Sequence, residues 1–174
     1  MKKFLFTIVL PVIVAITVGV IAFNVTTNIQ KTGKSDTTSS NVILPPTSNE
    51  VESEINKYRV SQQLAPFNSE VTALDQAAQV RAEGMCAAND WSHTKDWEVL
   101  EPYYNYSTAG ENLYYGFLQK DQAVVAMKAW IASPSHHAAL VTNYSEIGVG
   151  VKYCPGFQNE PTAVIVTNYF GVPR

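Results

Sequence analysis

The chain carries three histidines, His93, His136 and His137, and two of them are adjacent in "WIASPSHHAALV", residues 130–141. Imidazole is the side chain that exchanges a proton, or offers a lone pair to a metal, near neutral pH. Neighbours on a helix point about 100° apart, so His136 and His137 do not serve one site together. His136 follows Ser133-Pro134-Ser135. A serine before proline leaves the helical region and can cap a new short helix with proline at its first position. That places His136 in the first turn, where the helix dipole disfavours an imidazolium. A neutral His136 is competent as a metal ligand or proton acceptor.

His93 stands in "SHTK" and Glu111 in "GENLYYG". Two imidazoles and one carboxylate, where a fold brings such groups together, make a three-ligand zinc set with a position left for water. Such water can be acidified for attack on a carbonyl. The three donors come from separate segments and there is no H-E-x-x-H helix, so support for a peptidase is weak. A metal-free Ser–His–Glu hydrolase, with Ser92, Ser107 or Ser133 as nucleophile, is a further reading, but no G-x-S-x-G elbow is present. The plain alternatives stand beside these. A histidine bonded to a carboxylate is often only a satisfied polar pair. Glu111 in Gly-Glu-Asn then serves to accept backbone hydrogen bonds and tie its loop down. Glu146 is either a spare carboxylate near a cleft or a solvated strand start. The aromatics Trp91, Trp97, Tyr103, Tyr104, Tyr106, Tyr114 and Tyr115 line a groove for sugar or lipid, or simply pack beneath a long loop.

The elements that must position these groups can be read from periodicity. Val51, Ile55 and Tyr58 are helically spaced, and Pro66 stops that helix near Leu64. A second helix follows, with Asn68 or Ser69 as N-cap and a stripe of Val71, Leu74, Ala78 and Met85, loosened near Gly84. Residues 87–107 show no period and read as a long functional loop. "GENLYYG" is a strand start or an edge strand. "KDQAVVAMKAWIASP" is a helix capped by Asp121, with the stripe Ala123, Met127, Trp130 and Ile131. "EIGVGVKYC" alternates bulky residues with Gly148 and Gly150, a strand whose bare face invites close backbone approach. "TAVIVTNYFGV" is a buried final strand. Helices first and strands last predict an α+β layered fold with antiparallel pairing.

The 174 residues do not all belong to that domain. Phe4 to Phe23 is an uncharged apolar run behind Lys2 and Lys3. At about 1.5 Å per residue it spans one bilayer core and reads as an uncleaved anchor rather than a cleaved signal peptide. Residues 1–24 are therefore the membrane segment. Residues 25–49 are a polar linker rich in Thr, Ser and Asn. Residues 50–174 form the extracytoplasmic domain. The formal charge of −3 comes without a basic cluster, which removes nucleic acid as a partner. Cys86 and Cys154, the chain's two cysteines, default to a disulfide in an oxidising compartment, with two separate buried thiols as the alternative.

"SHTK", "AGENLYYG", "AWIASPSHHAALV" and "IGVGVKYC" occur in that order after two helices and before a terminal strand. Together they resemble the CAP superfamily of cysteine-rich secretory proteins, antigen 5 and pathogenesis-related 1, in its short bacterial form. The resemblance covers about residues 51–172. It implies a three-layer α–β–α sandwich with a small antiparallel sheet and a cleft lined by two histidines and two glutamates. His93 and His136 match the histidines and Glu111 the first glutamate. Ser133 stands where many eukaryotic members carry the second. That departure predicts weak binding of zinc or another divalent metal by His93, Glu111 and His136. The function expected is ligand binding in the cleft, with lipid, glycan or peptide as the ligand. A metal-dependent hydrolase acting on peptides or cell-wall material is the second reading. A structural or adhesion module is the third.

Overall fold

The computed structural model describes residues 42–68 and 70–174. The apolar run Phe4–Phe23, most of the linker and Ser69 lie outside the described residues. The first helix, α1 (Ser48–Ser61), starts inside the expected linker because Thr47 and Glu50 form a capping box. Thr47 Oγ1 accepts from the Glu50 amide at 3.2 Å, and the Glu50 carboxylate accepts from the Thr47 amide at 2.7 Å. Val51 and Ile55 are buried and Tyr58 packs beside them. The helix ends at Ser61 rather than near Leu64, with Gln63 in the left-handed region at φ 62°.

The second helix, α2, spans Thr72–Ala88. Its N-cap is Val71, not Asn68. The Asn68 backbone is instead committed to the sheet, donating to Ser145 O at 2.9 Å and accepting from the Ile147 amide at 3.0 Å. Gly84 does not loosen α2, which runs on to Ala88 and stops at Asn89 in the left-handed region, φ 50°. The expected loop over 87–107 contains a short helix, α3 (Asp96–Leu100).

The remaining elements are β1 (Tyr106–Phe117), α4 (Gln122–Ala132), α5 (Pro134–Val141), β2 (Glu146–Tyr153) and β3 (Ala163–Pro173). The strands pair antiparallel in the order β1-β3-β2, so "GENLYYG" lies in an edge strand and the final strand is central. Strand periodicity sends alternate residues to opposite faces. Val164, Val166 and Phe170 of β3 pack with α1, α4 and α5, while Ala163, Ile165 and Tyr169 face the side of α2 and α3. The result is the α–β–α sandwich, an α+β fold. In α4, Ala123, Met127 and Trp130 are buried as expected, but Ile131 is exposed, being one step round the helix from Trp130. Asp121 adopts a left-handed conformation, φ 56°, and makes no side-chain cap.

The glycines of β2 set the separation between the layers. A Cβ at Gly148 would lie 2.2 Å from the Leu74 carbonyl carbon, and one at Gly150 would lie 2.2 Å from the Ala78 carbonyl oxygen. Thr167 Oγ1 on β3 reaches the same Ala78 oxygen at 2.6 Å. Asp75 and Gln79, one helical turn apart on α2, accept from the Val149 and Val151 amides at 3.1 Å each, which satisfies the free edge of β2. Past the end of that strand, Cys154 is joined to Cys86 of α2 by a disulfide, Cα–Cα 5.8 Å.

Two stability measurements follow. Gly150→Ala should destabilise by about 3 kcal/mol or more, because backbone rather than a side-chain tip must move. Gly84→Ala, whose Cβ meets nothing within 4 Å, should stabilise by about 1 kcal/mol. Urea denaturation of both variants checks the contrast, and equal effects would refute it. Reducing the Cys86–Cys154 bond, which closes a separation of 68 residues, should lower stability by about 4 kcal/mol in the chain-entropy account.

Candidate functional site

Glu111 and Asn112 are consecutive on β1 and therefore point to opposite faces of the sheet. Each holds one histidine. On the α2 face, Glu111 Oε2 lies 2.6 Å from His93 Nδ1. On the α5 face, Asn112 Nδ2 donates to the backbone carbonyl of His136 at 3.0 Å. The two imidazoles come side by side near the β1 edge, with ring centroids 6.2 Å apart and planes inclined at 37°.

The support beneath His93 is ionic and buried. Arg81 Nε of α2 donates to Glu111 Oε1 at 2.8 Å, and the Arg81 and Glu111 side chains are only 5% and 2% exposed. Arg81 Nη2 also donates to the carbonyl of Ser92, the residue before His93. The His93 side chain, by contrast, is 53% exposed. Burial pushes the Glu111 carboxyl above its ordinary pKa, and the charges and hydrogen bonds of Arg81 and His93 oppose that rise. Tyr169, the register partner of Glu111, donates its hydroxyl to the Asp96 carbonyl at 2.7 Å. Burial, then the Glu111 charge, holds that phenol well above its usual range. Glu111 is thus held by the side chains of Arg81 and His93, rather than by backbone amides as in the plainer alternative for Gly-Glu-Asn.

His136 occupies the first turn of α5 behind Pro134. Burial, and then the positive potential of His93, lower its pKa below the ordinary imidazole value. His137 turns away from His93 to α1, where its Nε2 lies 2.8 Å from the Tyr58 hydroxyl. The structure therefore separates the adjacent pair as their helical offset requires. Ser133 sits at the N-cap position without a side-chain cap, its hydroxyl 3.3 Å from that of Ser135.

None of the three candidate nucleophiles contacts a histidine through its hydroxyl among the described residues. Ser92 Oγ bonds Asp90 and Thr94 at 3.0 and 2.8 Å, and Ser107 Oγ donates to the Val172 carbonyl at 3.1 Å. Glu146 is neither spare nor a freely solvated strand start, since it accepts from the Tyr104 hydroxyl. Trp91 packs on Tyr115 and Phe157, with centroids 4.8 and 6.4 Å away, whereas Trp97 and Tyr103 remain exposed.

Ligand atoms of His93, Asp96 and Glu111 all lie within 4.8 Å of one another. Sequence reasoning missed Asp96 and Arg81. Arg81 had a signal: it falls on the buried stripe of α2, three residues after Ala78 and four before Met85, where a charge requires a partner. Asp96 had only its three-residue spacing from His93.

A small antiparallel sheet covered by helices on both faces, with a His/Glu group at its edge, defines a CAP-type sandwich. The model of the CAP, or cysteine-rich secretory protein, family matches residues 52–170, and the chain belongs to that family. Its fold is similar to an outer surface protein from Borrelia burgdorferi, at 20% identity and TM-score 0.62, covering 76% of this chain and all of the other. It is also similar to an extracellular SCP-domain protein from Bacillus anthracis, at 21% identity and TM-score 0.57. That likeness covers 71% of this chain and 39% of the other. A cysteine-rich secretory protein from Staphylococcus aureus gives 15% identity and TM-score 0.54, covering 71% and 37%. No curated protein matches.

Removing one partner of a buried ion pair leaves an uncompensated charge, so Arg81→Met should cost about 3–5 kcal/mol. Arg81→Met with Glu111→Leu should recover much of that loss, and a purely additive double variant would count against the pairing. The lowered His136 pKa also has a signed consequence. Its contribution to stability is fully present above the unfolded value of about 6.5 and is lost as pH falls through the lower folded value. His136→Gln should therefore flatten the acid-side decline in stability between about pH 6.5 and pH 5.

Proposed function

We propose that this chain is an extracytoplasmic, membrane-tethered CAP-domain protein that binds an external ligand between His93 and His136. The supporting observation is that a half-exposed imidazole is mounted on a buried Arg81–Glu111 ion pair. A surface histidine needs no such mounting to stay folded, and buried charge is costly to assemble. A rigid, partly desolvated polar group beside a neutral imidazole suits recognition of a lipid, glycan or peptide carrying a few hydrogen-bonding groups.

The donor chemistry fits a weakly held divalent metal. His93 and His136 offer imidazole nitrogen, with Asp96 and Glu111 close to His93. Against tight binding, both Glu111 oxygens are already engaged by Arg81 and His93, and Ser133 supplies no carboxylate. A bound cation would polarise a ligand carbonyl or acidify water there. The hydrolase reading draws no support from the serines, whose hydroxyls bond to groups other than histidine. Tethering rests on the apolar run Phe4–Phe23; no helix among the described residues is long and apolar enough to cross a membrane.

Calorimetric zinc titration tests the site. The wild type should bind weakly at about pH 7.5 and lose affinity by about pH 5.5, because both imidazoles must be neutral to ligate. His136→Ala should abolish uptake yet keep the fold, since the Asn112 bond goes to the backbone carbonyl at 136. His137→Ala should keep uptake and lose about 1 kcal/mol of stability with the Tyr58 bond. A panel of sterol, glycan and peptide probes, read by shifts of the His93 and His136 resonances, tests ligand binding, while turnover of any peptide or cell-wall probe would favour the hydrolase. Loss of stability alone in His136→Ala, with no probe shifting either ring, would return the site to a structural role. Residues 1–24 should stay attached, and a mature N-terminus near Asn24 in secreted material would overturn the tether.

A further inference from the structure

We infer that Arg81 is a positioning residue for His93: through Glu111 it fixes the ring as the Nδ1–H tautomer and presents the Nε2 lone pair to solvent. The inference rests on the reading of His93 as part of a ligand site, and it specifies what that site offers. The tautomer of a histidine is set by the partner its ring nitrogen finds. His93 Nδ1 lies 2.6 Å from Glu111 Oε2, so one proton must sit between them whenever the ring is neutral. Two arrangements satisfy the distance. Either Nδ1–H donates to a carboxylate, or Glu111, having taken up one further proton from solvent, donates to Nδ1 while the ring carries its own proton on Nε2.

The choice between them is made at the other oxygen of the same carboxylate, which the Arg81 guanidinium engages in a buried ion pair. That guanidinium, 2.8 Å from Oε1, favours the carboxylate form, to which a neutral His93 ring can only donate from Nδ1. A second prong of the same guanidinium holds the Ser92 carbonyl and fixes the backbone entering His93. Arginine suits this work because its planar fork reaches two acceptors in fixed directions, which a lysine ammonium does not reproduce. The arrangement has the logic of the carboxylate–histidine pairs that orient metal-binding imidazoles.

The site therefore offers a lone pair at His93 Nε2 next to the neutral His136 ring. It selects ligands that bring a hydrogen-bond donor or a divalent cation to that nitrogen. It disfavours ligands that approach with a bare acceptor such as a carboxylate.

Nitrogen-15 spectra of the histidine rings in the full chain, recorded without ligand or metal and at a pH where the rings are neutral, test this. The wild type should show His93 as Nδ1–H over Nε2–H by more than about tenfold, the ratio a charge-assisted hydrogen bond sustains. Arg81→Gln, which removes the cation but keeps an amide donor, should bring that ratio to within about threefold of unity. The His137 ring, bonded to Tyr58, serves as the reference that a merely structural loss would leave unmoved. A wild type in which Nε2–H prevails at His93 overturns the assignment of the proton. A wild-type ratio preserved in folded Arg81→Gln overturns the role of Arg81. Neither outcome depends on whether any ligand binds, so failure here is distinct from failure of the ligand-site reading.

Discussion

With no side chains at Gly148 and Gly150, the backbone of α2 rests where two methyl groups would otherwise stand, 2.2 Å from Leu74 and Ala78 atoms. That close seating is the constraint on which the site depends. It brings the Thr167 hydroxyl within reach of the Ala78 carbonyl and lets Asp75 and Gln79 satisfy the exposed edge of β2. It also fixes the height of Arg81, one turn beyond Ala78, opposite Glu111 on β1. A helix held further from the sheet by two methyl groups would leave a buried carboxylate without its guanidinium, an arrangement far costlier than the loss of packing alone.

From that point the sandwich works through strand alternation. Glu111 and Asn112 diverge to opposite faces, and each engages a histidine carried by a different layer. The loop after α2 brings His93, and the start of α5 brings His136. Neither histidine is positioned by its own element alone. α5 is short, and its C-terminal carbonyls are gripped from α1, where Arg59 Nη1 donates to Leu140 O and Thr142 O at 2.7 and 3.0 Å. Two buried arginines on two helices thus secure the two histidine-bearing segments, by bonds to carbonyls and a carboxylate that lie far away in sequence.

The division of labour between adjacent histidines follows from the same geometry. His136 faces the His93 side and loses basicity first through burial and then through electrostatic coupling to His93. His137, about 100° round the helix, closes onto Tyr58 and joins α5 to α1. One residue thus faces the proposed site and the next joins the helix that carries it to α1, so the two adjacent histidines have different surroundings.

Much of this was legible in the sequence because it is local. The α+β class, the buried final strand, the bare face of β2, the break at Ser133-Pro134 and the separation of His136 from His137 follow from periodicity, proline geometry and glycine placement. Those properties act within a few residues. Helix boundaries were less legible: the capping box at Thr47 moved the start of α1, and the sheet claimed the Asn68 backbone that was expected to cap α2. The ion pair beneath His93 was not legible as a pair. Arg81 and Glu111 are 30 residues apart, and only the stacking of α2 on the sheet makes them neighbours. Asp96 joined the group only because α3 folds beside His93 within a segment that shows no period. Residue types and local spacing determined which side chains had chemistry to offer, whereas burial and long-range packing decided which partners they met, because desolvation and charge pairing depend on surroundings that the local sequence does not contain.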